Sequence, residues 1–256
     1  MKIIVSPAKK MNVDTDSLPA AGLPVLLEQT RILREGIRKM SYDEVKKLWG
    51  CNDQLAGLNY KRFADMDLEH NLTPAVLAYD GLQYQHMAPH ILTDKALDYI
   101  GSHLRIISGF YGILSPFDGV VPYRLEMQAR IAVLSSGDLY GFWENKIYKE
   151  LTREDHTVVN LASREYSQAV KPYLSSRDTF VTCIFGELDH GRIKQKGTLA
   201  KMARGEMVKF MAENHITDIG QLKEFNSLGY RYTEESPEKE RNMLFKYIKG
   251  LKSKLS

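Results

Sequence analysis

Residues 103–127 read HLRIISGFYGILSPFDGVVPYRLEM, and the rest of the chain is organised around this stretch. Leu104, Arg105, Ile106 and Ile107 make a short, mainly apolar run, read as a buried strand. It passes straight into Ser108, Gly109, Phe110, Tyr111 and Gly112, where glycine permits tight turns and close backbone approach. Ser115 and Pro116 start a second turn, and Tyr123, Arg124, Leu125 and Glu126 form a charged cluster beyond it. Loops held on a rigid strand are where binding groups tend to sit. The segment reads either as one wall of a functional cleft or as a crossover whose Arg and Glu pair with each other.

Working outward, the same arrangement recurs. Residues 2–5 (KIIV) read as a buried strand, broken at Ser6-Pro7 because proline cannot continue a central strand. That leaves Ser6 and Lys9 on the first strand-end loop, where open α/β sheets bind ligands. Residues 158–161 (VVNL) read as another strand, ending in Ala162, Ser163, Arg164 and Glu165 at the start of a helix that runs to about Val170. Small residues between a strand end and a helix start suit a polar or anionic ligand, and Asn160, Ser163 and Glu165 are the groups offered. Residues 130–134 and 180–185 are further strand candidates, the second continuing into a hairpin at Ile193.

Helical spacing alternates with these runs. It predicts helices over 25–40, from Ser41 to about Trp49, from Asp53 onward, over 93–100, over 139–151 with Phe142, Trp143 and Ile147 inward, and over 198–214. Ser41 with Glu44 three residues on is a capping box. In the 198–214 segment Leu199, Met202, Met207 and Met211 lie on the apolar stripe, and Lys201, Arg204 and Lys209 are read on the outer face. Residues 226–232 form a Gly-centred turn into an aromatic strand, and the tail from about 236 reads as charged and helix-prone. The expectation is one domain over residues 1–256, of the α/β class, with a mixed central sheet flanked by helices.

Composition narrows the function classes. The chain has 256 residues, 43% hydrophobic and 26% charged, with a formal net charge of +3, which describes an ordinary globular domain. Cys51 and Cys183 stand alone, fitting a reducing compartment without a disulfide framework. The N-terminal apolar run is too short for a signal peptide, and no segment is long and apolar enough to span a membrane. A cytoplasmic, monomeric protein with no membrane partner is expected. No GxxxxGK[ST], strand-linked GxGxxG or GxSxG pattern occurs. His86 and His90 are four apart, but Pro89 interrupts a helix between them, so neither a metal nor a cofactor is expected.

Basic residues cluster locally. Arg192, Lys194, Lys196, Lys201, Arg204 and Lys209 stand against one acid, Glu206, and a second cluster lies in residues 239–254. Each suits a polyanion-binding face, or equally a solvated helix face. The two helices around Gly50 to Asp53, with Lys61 and Arg62 on the second, match a helix-hairpin-helix in outline or an αα-hairpin of the core.

Several segments together are similar to one family, the YaaA family of bacterial peroxide-stress proteins. They are SPAK at 6–9, LAGLNYKRF at 55–63, HLRIISGFYGILSPFD at 103–118, PYRLEM at 122–127 and DLYGFW at 138–143. VVNLASREY at 158–166, KGTLAKMARGEMVKFMAEN at 196–214 and FNSLGYRY at 225–232 complete the set. The resemblance implies a cytosolic α/β protein induced by hydrogen peroxide that helps lower free iron. It also implies DNA binding, to double-stranded or branched DNA without sequence specificity, through a positive cleft with a helix-hairpin-helix-like element. Lys61 and Arg62 then become phosphate contacts, since such contacts supply non-specific affinity.

Two readings follow. In the first, Lys61, Arg62, Lys194, Lys196, Lys201, Arg204 and Lys209 face DNA phosphates. In the second, Ser6, Lys9, Arg105, Tyr111, Tyr123, Arg124, Glu126, Asn160, Ser163 and Glu165 line a site for a small anionic ligand, a nucleotide or nucleobase being the natural class. There Glu126, Glu165 or Lys9 is the acid/base candidate, and Arg105 or Arg124 the anion clamp. Convergence of these residues on one pocket favours the second reading.

Overall fold

The computed structural model describes residues 1–131, 136–190, 192–239 and 242–250. From the N-terminus, β1 (Lys2–Val5) is fully buried and leads through a loop to β2 (Lys10–Met11). Three helices follow: α1 (Leu27–Arg38), α2 (Tyr42–Trp49) and α3 (Asp53–Asp65). The Ser41–Glu44 capping box is present, and Gly50 ends α2 at φ 54°, a left-handed value that glycine adopts without strain. Asn52 caps α3 by accepting from the Leu55 N–H. A set of short pieces comes next: β3 (Thr73–Pro74), α4 (Ala75–Ala78), β4 (Tyr79–Asp80) and α5 (Leu82–Met87).

Helix α6 (Asp94–His103), capped by Thr93, delivers the chain into β5 (Leu104–Ser108), then β6 (Gly112–Leu114) and β7 (Gly119–Val120). Helices α7 (Leu139–Trp143) and α8 (Lys146–Leu151) lead to β8 (Thr157–Leu161) and the single turn of α9 (Arg164–Ser167). The last elements are β9 (Thr179–Asp189), β10 (Arg192–Lys194), α10 (Gly197–Glu213), β11 (Tyr230–Lys239) and β12 (Asn242–Lys249).

Among the described residues these strands make an eight-stranded mixed sheet in the order β11-β12-β9-β8-β1-β5-β6, with β10 paired to β9. Strands β12, β9, β8, β1 and β5 are mutually parallel, whereas β6, β10 and β11 pair antiparallel at the margins. The central strand β1 pairs Ile4 with Arg105 of β5 and with Asn160 of β8. This register brings the carboxyl ends of β1, β5 and β8 to one edge. The near-continuous apolar character of KIIV and VVNL is what a parallel strand covered on both faces requires.

The segment quoted first is tightly fixed. A Cβ added at Gly109 would lie 2.6 Å from the Leu125 carbonyl oxygen, so only glycine lets residues 125–127 cross there. At Gly112 (φ 74°), a Cβ would meet Leu26 and Trp143 at 2.9 Å. Trp143 is fully buried, and its Nε1 donates to the Gly109 carbonyl at 3.0 Å. Beneath this loop Ser108 Oγ accepts from the Phe110 and Tyr111 N–H groups, which leaves its own hydrogen to donate to Tyr123 Oη at 2.6 Å.

Four sequence expectations change. The stretch 139–151 is two helices, because Glu144 adopts φ 47° between them. The helix from Ser163 spans one turn, ending at Ser167 instead of running to Val170. The tail is a β-hairpin, β11 and β12, whose Phe245 and Tyr247 alternate inward where β12 pairs with β9. Charge suggested a helix, but period-two aromatics beside an open strand edge decide for a sheet. Arg130 and Ile131 are outside any strand, and the rest of the expected 130–134 strand lies outside the described residues.

Candidate functional site

A cavity of about 480 Å³ opens at the carboxyl ends of β1 and β8. Its walls come from separate parts of the chain. The loop after β1 supplies Ser6, Lys9 and Lys10, and residues 123–126 supply Tyr123, Arg124 and Glu126. The start of α9 supplies Ser163, Glu165 and Tyr166, β4 and α5 supply Asp80 and Gln83, and α10 supplies Lys201 and Arg204. A volume of this size matches pockets that take small molecules.

Local hydrogen bonds hold the floor. Ser6 Oγ accepts the Ser163 backbone N–H at 2.8 Å, tying the end of β1 to the start of α9. Tyr84 Oη donates to the Ser6 carbonyl at 2.9 Å, fixing α5 to the same loop. Tyr123 and Tyr79 share a buried hydrogen bond at 2.8 Å, extending the hydroxyl chain from Ser108, and burial pushes the Tyr123 phenol up to about 12.

The carboxylates divide by surroundings. Glu126 forms ion pairs with Lys9 at 2.8 Å and Arg124 at 3.3 Å. Glu165 has no ion pair among the described residues. Burial raises its pKa, with the nearby negative charge of Glu126 adding to the rise, while the Gln128 N–H, 3.4 Å away, works against it. Arg124 also donates from Nε to the Trp49 carbonyl at 3.3 Å, which links the cavity wall to the C-terminus of α2. Lys10 pairs with Asp80 at the entrance.

The cations on α10 contrast with these. Neither Lys201 nor Arg204 has an ion-pair partner among the described residues, and the buried Nε of Arg204 has no hydrogen-bond acceptor. Burial lowers the Arg204 pKa.

Of the residues singled out for a small-ligand site, Ser6, Lys9, Tyr123, Arg124, Glu126, Ser163 and Glu165 therefore share one cavity. Arg105, Tyr111 and Asn160 do not. Arg105 donates to the Gly101 and Leu104 carbonyls and lines a separate recess with Asp118 and Glu150, because alternate residues of a strand point to opposite faces. Tyr111 is buried in aromatic packing, its hydroxyl accepting the Val121 N–H at 3.1 Å. Asn160 turns its amide inward to Thr182 and to the Ala162 N–H, shaping the strand end from behind.

The residues expected on a phosphate-facing surface are dispersed among different surroundings. Lys201 and Arg204 line the cavity, which corrects the placing of Arg204 on an outer face with Lys209. At 3.6 residues per turn, Lys209 lies about 140° around α10 from Arg204. Lys194 pairs with Asp189, Lys196 with Glu187 and Lys209 with Glu213. On α3, Lys61 is exposed, while Arg62 is half-buried, with Nη1 3.4 Å from Asn59 Oδ1. Residue-level reading missed Lys10, Asp80, Gln83 and Tyr166 as lining groups. Lys10 and Tyr166 follow directly on motifs it had flagged, whereas Asp80 and Gln83 lie on short elements that carry no periodic signal.

Among the described residues, no group of three or more His, Cys, Asp or Glu could hold a metal ion, and no helix is long and apolar enough to cross a membrane.

The fold and cavity define an α/β protein with a polar, charge-lined strand-end site. A sequence model of the family described as peroxide stress protein YaaA matches residues 1–236, and this chain belongs to that family. Relatives described as UPF0246 proteins align along nearly the full length. The one from Desulfitobacterium hafniense (strain Y51) is 53% identical over 254 residues, covering 99% of this chain and 100% of the relative. That of Pediococcus pentosaceus is 53% identical over 232 residues, covering 91% and 92%. That of Limosilactobacillus reuteri (strain DSM 20016) is 50% identical over 250 residues, covering 97% and 100%.

Proposed function

We propose that this peroxide-stress family member binds, and acts on, a small anionic ligand of nucleotide or nucleobase type in the strand-end cavity. One observation carries this reading: seven residues singled out for such a site, from three separate segments, line a single cavity with two cations from α10 that have no ion-pair partner among the described residues. Passive phosphate contact needs only Lys and Arg spread over a face. It has no use for a buried hydroxyl chain running from Ser108 through Tyr123 to Tyr79, or for two carboxyls in unlike surroundings. Unlike environments are how one site separates a proton donor from its ionised partner. Glu165 is the proton-carrying group in this reading, Glu126 organises Lys9 and Arg124, and Arg124 clamps the ligand. The test is calorimetric titration of nucleotides and nucleobases into wild type and Arg124→Ala. Saturable binding by wild type that weakens at least tenfold in the variant supports it, on the ordinary worth of a charge-assisted pair. No binding by wild type sinks it.

A second reading keeps DNA as a partner, with the protein acting as a cytoplasmic monomer that helps lower free iron. It is favoured by the bond from Arg124 to the Trp49 carbonyl, which couples the α2–α3 pair and its Lys61 to the cavity wall. Affinity for duplex or branched DNA would fall steeply with salt, and Lys61→Ala would flatten the slope by about one ion. Salt-independent binding, or none at low salt, removes this partner. Intracellular free iron in cells lacking the protein, complemented by wild type or Arg124→Ala, tests the link to iron.

A further inference from the structure

Helix α10 approaches α5 more closely than side chains normally allow. At Gly205 a Cβ would lie on the Gln83 carbonyl oxygen and 2.9 Å from the Met87 nitrogen, so glycine is required there. The neighbouring residues use this closeness in different ways. Glu206 turns to His86, whose Nδ1 is 2.9 Å from Oε1, and clamps the two helices. Arg204 turns into the cavity beside Gln83 and Tyr84. The close contact therefore sets the Arg204 guanidinium in the cavity wall with little solvent around it.

What Arg204 lacks there is an anion. Its Nε is buried without an acceptor, and no carboxylate lies within ion-pair distance among the described residues. A buried charge without a partner is costly and persists where something else completes it. Lys201, one turn earlier and exposed, lines the same cavity and has no ion-pair partner among the described residues. Elsewhere in the cavity the cations are already matched, Lys9 and Arg124 by Glu126 and Lys10 by Asp80. Among the described lining residues the open positive charge thus lies on α10, and the carboxylates that could accept from a ligand are Glu126, Glu165 and Asp80. A guanidinium beside an ammonium suits a doubly charged phosphate monoester better than a single carboxylate, since two cations match its two charges and the ammonium can take a third oxygen beyond the two that the planar fork holds.

We propose that Arg204 and Lys201 form the phosphate subsite of the cavity, and that its ligand is a nucleoside monophosphate whose N–H donors meet Glu126 and Glu165. This rests on the small-ligand reading above and adds the class and orientation of the ligand.

The test pairs a change in the ligand with a change in the protein. AMP, GMP, CMP and UMP, and their four nucleosides, are titrated into wild type, Arg204→Gln and Lys201→Gln, with melting temperatures taken with and without inorganic phosphate. The expected result is that one monophosphate binds wild type at least tenfold more tightly than its nucleoside, the order of a charge-assisted bidentate pair. Arg204→Gln brings that monophosphate down to the nucleoside's affinity and leaves the nucleoside unchanged, while Lys201→Gln gives a smaller loss in the same direction. Without ligand, Arg204→Gln melts no lower than wild type, because a buried N–H without an acceptor has been removed. Phosphate raises the melting temperature of wild type, less that of Lys201→Gln, and not that of Arg204→Gln. Equal monophosphate binding by wild type and Arg204→Gln overturns the subsite. So does an Arg204→Gln protein that melts far below wild type, which would make the arginine structural. Nucleoside and monophosphate binding equally, with affinity lost in Arg124→Ala, overturns the subsite but leaves the small-ligand reading standing. No binding of any probe by wild type overturns both.

Discussion

Lys9 Nζ lies 2.8 Å from Glu126 Oε1, joining the loop after the first strand to the segment that follows the Gly-rich turn. The Lys9 side chain is 67% exposed, so the pair itself adds little to stability. Its use is to hold Glu126 in place. Lys9→Ala should cost less than about 1 kcal/mol in urea unfolding, the usual ceiling for an exposed pair. Ligand affinity should fall more than stability does. A double-mutant cycle with Glu126→Gln then returns a coupling energy for ligand binding, and a zero value would show that the two act independently.

Gly109→Ala should be among the most damaging single substitutions. The added methyl meets the Leu125 carbonyl at 2.6 Å, and backbone on both sides leaves no flexible atom to yield. A loss of about 2–4 kcal/mol in chemical denaturation is expected, the upper range for overpacking. Weakened ligand binding should accompany it, because residues 125–127 carry the wall that holds Glu126.

Ser41→Ala should cost about 1 kcal/mol by removing the side-chain bond of the capping box at α2, in which Ser41 Oγ accepts the Glu44 N–H. Arg124 contacts only the far end of that helix, at the Trp49 carbonyl. Cavity binding should therefore stay near wild type, which separates helix stability from the site.

Asp118 supplies a pH test in the recess that holds Arg105, Glu150, Arg153, Glu154 and Lys2. Burial raises its pKa to about 6, opposed by the Ser115 N–H and by Arg105. An acid whose folded pKa is raised binds more protons folded than unfolded. Its contribution is therefore full below the unfolded value, near 4, and is lost as pH rises to about 6. Wild type should lose up to about 2–3 kcal/mol relative to Asp118→Asn across that window, from a shift of roughly two pH units. Unfolding free energies of both proteins at pH 4, 5, 6 and 7 check this, and parallel profiles would show that Asp118 does not carry the effect.

How much of this was legible in the sequence differs by element. The strands KIIV, VVNL and FVTCIF could be read directly, because a parallel strand covered on both faces must be apolar throughout. The capping box at Ser41 was also local, a matter of two side chains three residues apart. Glu144 gives no such warning: its φ of 47° separates α7 from α8, so one expected helix becomes two. The tail misleads because its charged composition obscures the period-two aromatics Phe245 and Tyr247, which turn inward where β12 pairs with β9.

The candidate site divides in the same way. Ser6, Lys9, Glu126, Ser163 and Glu165 were found because each sits where a strand or turn visibly ends. Arg105 was included and does not belong, because its position on β5 turns it to the other face. Helical spacing alone reads Lys201 and Arg204 as outer-face charges. Spacing along a helix gives the angle between two side chains, but the face that meets the protein depends on what packs against it. The sequence alone determined the parallel strands β1, β5, β8 and β9, the cap at Ser41 and the glycines of the turn at residues 108–112. Only the tertiary structure decided that α10 meets α5 at Gly205 and turns an unpaired arginine into the cavity, because that contact joins residues more than a hundred positions apart whose pairing leaves no periodic trace in either segment.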